Sequence, residues 1–307
     1  MRAVRFAETG PSSVLHVDDD VLEPHAGPGR IRIAVAAAGV NAWDRKVRSG
    51  LAGIPVPAPR IPGGDAAGVV DEVGDGVTGV SVGDEVFGIG PAGVTAQHAV
   101  LTHWAAKPGG LSFVQAAGLP TPAETAVRAL DLLGVGGTDV HRGDRRETVV
   151  ISGAAGGVGL TAAQLARERG AHVIGTASPA RHDLLRALGI TPVAYGAGLA
   201  GRVRALAPDG VDLALDAAGH GVVPELIALT GDAAHVVSIA DFSAHGARTT
   251  DGGEGRSWHA LAEVAALIEA GRLELPVAST FPMAEAAAAH DLSESGHAGG
   301  RVVILIG

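Results

Sequence analysis

The chain has no cysteine, which excludes disulfides, thiol catalysis and thiolate-bound zinc. Aromatic residues are only 3% of 307 residues and tyrosine occurs once, so alanine, valine and glycine must do most of the packing. The formal net charge is −10 and no basic block stands out, which argues against a nucleic-acid partner. No apolar run reaches the roughly 20 residues of a membrane span, so no membrane partner is expected. The opening Met-Arg-Ala-Val-Arg-Phe lacks the long apolar segment of a signal peptide, and a cytoplasmic location is the default expectation. Histidines number 13, but none forms a His-Glu-x-x-His motif or a tight ligand cluster, so no metal site is expected.

What the chain does have is glycine, 46 of them, and one stretch that uses it in a chemically specific way. Thr148 to Ile151 is a β-branched run suited to a buried parallel strand. A turn follows with Gly153, Gly156 and Gly159 at even spacing and Gly157 as an extra. Next comes a helix carrying Val158, Ala162, Ala163, Leu165 and Ala166, closed by Gly170. Strand, glycine turn and helix form the context of a dinucleotide fingerprint. A pyrophosphate needs backbone N–H groups aimed at it from a helix N-terminus. Side chains at Gly153 or Gly156 are expected to block its approach, and one at Gly159 to push the helix off the strand. A tight turn without a ligand is the alternative.

Around this stretch the texture divides. Residues 1–119 read as mostly β, punctuated by Gly10-Pro11 and Gly27-Pro28-Gly29, and suit a small irregular barrel. Strand character falls at Ala3–Ala7, Leu15–Val17 and Arg30–Ala38, with a short helix within 37–50 and a proline-rich loop from Ile54 to Pro62. Ser112 caps a helix from Phe113, and Thr121–Leu133 is a further helix. Leu133–Glu147 reads as a loop, whose Arg142-Gly143-Asp144 is a chance match to an adhesion motif. Downstream, strands and helices alternate: Ala171–Thr176, a helix opened by Ser178-Pro179, Val211–Asp216, Val222–Leu229 and Ala234–Ala240. Trp258–Ala270 is an amphipathic helix, and from about 272 the pattern changes to strand, helix, strand.

Several motifs in order carry a resemblance: Ala-Gly-Val-Asn-x-x-Asp (38–44), Gly-x-Asp-Ala-Ala-Gly-Val-Val (63–70), Val-Gly-Asp-Glu-Val-Phe-Gly (82–88), Ala-Ala-Gly-Gly-Val-Gly (154–159), Val-Asp-Leu-Ala-Leu-Asp-Ala-Ala-Gly (211–219) and Glu-Ser-Gly-His-Ala-Gly-Gly-Arg-Val-Val (294–303). Over essentially its whole length the chain resembles the medium-chain dehydrogenase/reductase superfamily, and within it the zinc-free quinone oxidoreductase branch, the zeta-crystallin group. The resemblance implies an α/β protein: a GroES-like β-rich catalytic domain (1–119 and 272–307) and a Rossmann doubly wound parallel sheet (120–271), with the active cleft between them. It also implies a homodimer joined edge to edge through the last Rossmann strand, near 234–240. Where the zinc-dependent branch carries cysteine and Gly-His-Glu, this chain has Asn41 and Gly63-Gly64-Asp65.

NAD binders usually place an acidic residue at the end of the second Rossmann strand, to hold the ribose 2′-OH. Here Val173 to Ser178 contains none, Ser178 can donate a hydrogen bond and Arg181 can supply charge, so NADP(H) is favoured. Helix capping and a solvated helix face are the alternatives for those two residues. Tyr195 resembles the family residue beside the adenosine 2′-phosphate. The remaining cofactor set is Ala155, Val158, Thr125, Ala218, and Ser238, Ile239 and Ala240 after the fifth strand. Without metal or thiol, catalysis rests on hydride transfer, positioning and stabilisation of a developing oxyanion. Asn41 is the first candidate to contact cofactor or acceptor, and Lys46 the second, with a turn-forming Asn and an exposed Lys as the alternatives. Asp44 is expected to order its loop, Asp65 to be structural, and His290 and His297 to be solvated. The apolar loop Leu51–Pro59 suggests a small apolar acceptor. The leading expectation is an NADPH-dependent reductase of quinones or α,β-unsaturated carbonyls. An enoyl or polyketide-tailoring reductase and a non-catalytic NADPH-binding scaffold or sensor are the alternatives.

Overall fold

The computed structural model describes residues 1–307 except 54, 56–58, 92, 138–145, 244, 254 and 297. The Arg142-Gly143-Asp144 triplet, His297 and part of the loop Leu51–Pro59 therefore lie outside the described residues. Two compact units form: Met1–Thr121 with Leu261–Gly307, and Pro122–Ala260. The second boundary thus falls before residue 271, which groups most of the helix that follows Trp258 with the first unit.

The first unit contains β1 (Ala3–Arg5), β2 (His16–Asp18), β3 (Ile31–Val40), α1 (Ala42–Arg48), β4 (Asp65–Val73), β5 (Glu85–Ile89), β6 (His98–Leu101), β7 (His103–Ala106) and α2 (Phe113–Ala117). The second holds all but the first two residues of α3 (Pro120–Leu133), then β8 (Thr148–Ser152), α4 (Gly157–Glu168), β9 (His172–Ala177), α5 (His182–Ala187), β10 (Thr191–Ala194), α6 (Leu199–Leu206), β11 (Leu213–Asp216), α7 (Val223–Thr230), β12 (Val236–Ser238) and β13 (Arg248–Thr249). The chain then returns through α8 (Ala260–Glu269), β14 (Val277–Pro282), α9 (Ala286–Glu294) and β15 (Arg301–Leu305).

In the GroES-like unit β3 is the organising strand. It pairs antiparallel with β4 on one side, and on the other with β6 through Ile31–Ala34 and with β15 through Ala37–Val40. Sheet order is β14-β15-β3-β4-β5-β7, with β6 off the path. Ile31, Ile33, Val70, Leu101, Val302 and Ile304 belong to one buried cluster. α2 has the expected start: Gln115 N–H donates to Ser112 Oγ (3.3 Å), and Ser112 N–H donates back to Gln115 Oε1 (3.0 Å).

The Rossmann unit is a parallel sheet in the order β10-β9-β8-β11-β12-β13. Every residue of β8, β11 and β12 is buried, as a strand covered on both faces requires. The order reverses between β8 and β11, and ligands of such sheets bind at the carboxyl ends of the strands at that switch point. Residues 236–238 form an interior strand, because Arg248–Thr249 pairs along its outer side. Among the described residues no helix is long and apolar enough to cross a membrane.

His290 departs from expectation: it is 2% exposed, not solvated. Ala286, Ala289 and His290 share the buried face of α9 at helical spacing, so the ring goes inward with them. Burial, then the neighbouring Arg48, pushes its pKa down to about 4, while Asp291 opposes the shift. The unfolded chain takes up this proton near the ordinary value of 6.5. As pH falls, the unfolded state is protonated first, so stability is lost below about 6.5 and the loss is complete below about 4. At 1.36 kcal/mol per pKa unit the full loss is about 3 kcal/mol. The thermal midpoint of the wild type should therefore fall further between about pH 7 and about pH 5 than that of His290→Gln. Parallel falls would clear the ring of this role.

Candidate functional site

The glycine turn of the Rossmann unit spans residues 153–156 at the carboxyl end of β8. Gly153 adopts φ +78°, a conformation that side chains disfavour, and a Cβ there would sit 3.1 Å from Ala218 Cβ. The turn is tied to β9: Gly153 N–H donates to Thr176 Oγ1 (3.0 Å) and Ala154 N–H to Thr176 O (3.0 Å). At Gly159 a Cβ would meet the Gly153 carbonyl oxygen at 2.1 Å, so helix and turn touch backbone to backbone there. Gly156 is different. It has extended backbone, is exposed, and a Cβ would meet nothing nearer than 3.4 Å. The fold does not need glycine at this position, and the space in front of it is open. Beside it, Gly157, Val158 and Gly159 open α4, where first-turn N–H groups lack intrahelical acceptors and the dipole favours an anion. Ala155 completes the turn, half-buried.

Across the switch point Asp216 is fully buried at the end of β11. Its Oδ1 accepts from Ala218 N–H (3.0 Å) and Gly219 N–H (2.9 Å), and its Oδ2 accepts from Ser238 Oγ (2.8 Å). Ser238 Oγ in turn accepts from Ala240 N–H (3.2 Å) and Asp241 N–H (2.9 Å), and Ile239 N–H donates to Asp216 O (3.0 Å). Ser238 is thus a brace, and the N–H groups of Ile239 and Ala240 are used inside the protein.

At the far side of β9, parallel pairing of Ala177 with Ala194 brings Ser178 and Tyr195 out of adjacent strands side by side. No carboxylate stands at either strand end. Ser178 does precede a short 3-10 turn, Pro179–Arg181, but its hydroxyl makes no capping bond, contrary to a pure capping role. Arg181 lies at the junction with α5, half-buried and without an ion pair among the described residues. Tyr195 is 61% exposed. Its loop is held by Arg202, whose guanidinium donates to the carbonyl oxygens of Ala194 (2.8 Å), Gly196 (3.0 Å) and Ala197 (2.8 Å). The sequence pattern gives no sign of that arginine's role.

Thr125 is buried on α3, its Oγ1 donating to Glu124 Oε2 at 3.3 Å. Glu124 is fully buried and accepts from Arg128 Nε (2.7 Å), Arg256 Nη1 (3.1 Å) and Ser257 N–H (3.2 Å). Arg128 Nη1 also donates to Thr250 Oγ1. Burial pushes the Glu124 carboxyl up, but the two arginines hold it below the ordinary glutamate value. Arg128 is four residues on and legible as a helical pair; Arg256 and Ser257 come from far along the chain.

In the GroES-like unit Asn41 is buried just after β3. Its Nδ2 donates to Asp65 Oδ2 (2.9 Å), its Oδ1 accepts from Arg301 Nη2 (2.7 Å), and its N–H donates to Asp44 Oδ2 (2.8 Å). Asp65 also accepts from Thr121 Oγ1 (2.6 Å) and Thr121 N–H (3.0 Å). Burial pushes Asp65 up, and Arg301, Thr121 and Asn41 pull it back. Burial raises Asp44 to about 7, opposed by the Asn41 N–H. Asp44 therefore orders the start of α1. Lys46 sits half-buried on that helix, and Trp43, one turn earlier, is 48% exposed. Arg301, inside the quoted 294–303 motif, is the group sequence reading did not assign.

The family described as "Alcohol dehydrogenase GroES-like domain" matches residues 27–117, and "Zinc-binding dehydrogenase" matches residues 188–304. The solved structure of an NAD-dependent alcohol dehydrogenase superposes with TM-score 0.85 at 30% identity, over 100% of both chains. The spectinabilin polyketide synthase system protein NorB of Streptomyces orinoci is 35% identical over 94% of this chain but only 14% of its own length. The quinone oxidoreductase of Rattus norvegicus is 38% identical over 58% of this chain and 53% of its own. The chain thus spans about half the length of that reductase and a small part of the synthase. It belongs to the medium-chain dehydrogenase/reductase superfamily.

Asn41 and Asp65, which stand where the resemblance places the zinc ligands of other family members, are a poor fit for a zinc ion. Asn41 and Asp65 bond each other there, and the Arg301 guanidinium lies against both, with Nη2 3.6 Å from Asp65 Oδ2. A buried positive charge beside both side chains disfavours a cation there.

Proposed function

We propose that the protein is a zinc-independent, NADPH-dependent reductase of quinones or α,β-unsaturated carbonyls. The observation that carries it is an unobstructed glycine turn at the switch point, joined in one sheet to a carboxylate-free end of β9. The α4 N-terminus would hold the pyrophosphate. Ser178, Arg181 and Tyr195 would take a 2′-phosphate, and the Ile239 and Ala240 carbonyls would accept from the carboxamide. When bound, the cofactor supplies a hydride to the electrophilic carbon of the acceptor. Asn41 and Lys46 would stabilise the oxyanion left by that transfer, and solvent would protonate it. The NorB similarity, over nearly the whole chain, supports a second reading as an enoyl or polyketide-tailoring reductase with a dedicated substrate.

The test follows loss of reduced nicotinamide, comparing NADPH with NADH against 1,4-benzoquinone, 9,10-phenanthrenequinone and a simple enone. Turnover with NADPH and a quinone is expected. The Ser178→Ala/Arg181→Ala variant should raise the KM for NADPH about tenfold or more while leaving that for NADH unchanged, since each charge-assisted hydrogen bond contributes about 1.5–3 kcal/mol. An equal rise for both cofactors would remove the 2′-phosphate assignment. Turnover of enones alone would move the reading to carbon–carbon double bonds, and NADPH binding without turnover to a dedicated substrate or a non-catalytic role.

A further inference from the structure

Asn41 is the only asparagine in the chain. Its carboxamide can point only one way. Reversing it would set the NH2 group against the Arg301 guanidinium and the oxygen against the Asp65 carboxylate. The strand register produces this arrangement. β3 lies between β15 and β4, with Val40 opposite Val302 and Gly39 opposite Asp65, so Arg301, Asn41 and Asp65 gather at one end of three adjacent strands. Thr121 anchors Asp65 from a further element through its hydroxyl and N–H. Arg301 is itself buried, and its Nε has no hydrogen-bond partner among the described residues. A buried ion pair is weak evidence of added stability but does fix geometry when every contact is directional.

We infer that Arg301 and Asp65 are positioning residues that fix the Asn41 carboxamide as a hydrogen-bond donor. One Nδ2 proton is held by Asp65; the other has no partner among the described residues and is the one left for an oxygen of the bound acceptor. This deepens the reductase reading and rests on it for the identity of that oxygen, but the orientation itself can be measured without turnover.

Labelling with 15N-asparagine gives a single side-chain NH2 pair in the whole protein. In the wild type that pair should show two resolved protons, at least one exchanging slowly with water. Arg301→Met and Asp65→Ala should each speed that exchange by about tenfold or more. Arg301→Lys should restore part of the protection. In turnover, Arg301→Met should lower kcat about tenfold with the KM for NADPH unchanged, and should cost nothing further in an Asn41→Ala background. If Arg301→Met does not fold, the Asp65→Ala/Arg301→Met double variant removes both charges and is read in the same way. A rapidly exchanging wild-type pair overturns the proposal. So does a kcat loss as large with Asn41→Ala as without it. A protected pair in a protein that reduces no acceptor would discard the reductase reading and keep the positioning.

Discussion

Gly156→Ala is expected to keep the fold and lose the cofactor, whereas Gly159→Ala is expected to lose both. The two glycines lie in one turn, but their neighbours differ. The Cβ of an alanine at 159 would be 2.1 Å from the Gly153 carbonyl oxygen and 2.7 Å from its carbon, both backbone atoms that cannot step aside. The helix must move off the strand, at a cost of about 1–3 kcal/mol or more. The cofactor cradle moves with it. At 156 the nearest atom is 3.4 Å away and the backbone is extended, so alanine costs the fold no more than about 1 kcal/mol. The methyl group instead occupies space in front of the α4 N-terminus. NADPH affinity, measured by fluorescence titration, should fall about tenfold or more, corresponding to about 1.4 kcal/mol. Full NADPH affinity in Gly156→Ala would remove the phosphate cradle from this turn.

Glu124→Leu should cost more stability than any other single change considered, about 3–5 kcal/mol. It strands Arg128, 6% exposed, without its carboxylate, and it also removes the acceptor for Ser257 N–H. A fall on the order of 10 °C in the thermal midpoint follows. The Glu124→Leu/Arg128→Met double variant should recover most of it, because the penalty lies in the orphaned charge rather than in loss of the pair. Arg256, more exposed, can turn to solvent. Equal losses in single and double variants would show that packing around Glu124, not its charge, carries the effect.

The features legible from sequence are those set by neighbours along the chain. The β-branched run of β8, the glycine spacing, the Ser112 cap and the absence of a carboxylate after β9 each depend on a few consecutive residues. Local preference and tertiary fold agree at all of them. His290 failed this way of reading because its place near the chain end suggested solvent, although Ala286 and Ala289 at helical spacing already marked the inward face.

What only the tertiary structure decided is which distant residues share a site. Asn41, Asp65 and Arg301 meet because β3 is paired on both sides, and the partners of a strand cannot be read from its own periodicity. Glu124 meets Arg256 across 132 residues, and β13 covers β12 with only Arg248 and Thr249, too short a run to carry a pattern. By itself the sequence determined the class of chemistry, through what it lacks and through one glycine turn. The folded chain decided which way the Asn41 amide points and which charges are buried, because those follow from contacts made only once the strands have paired.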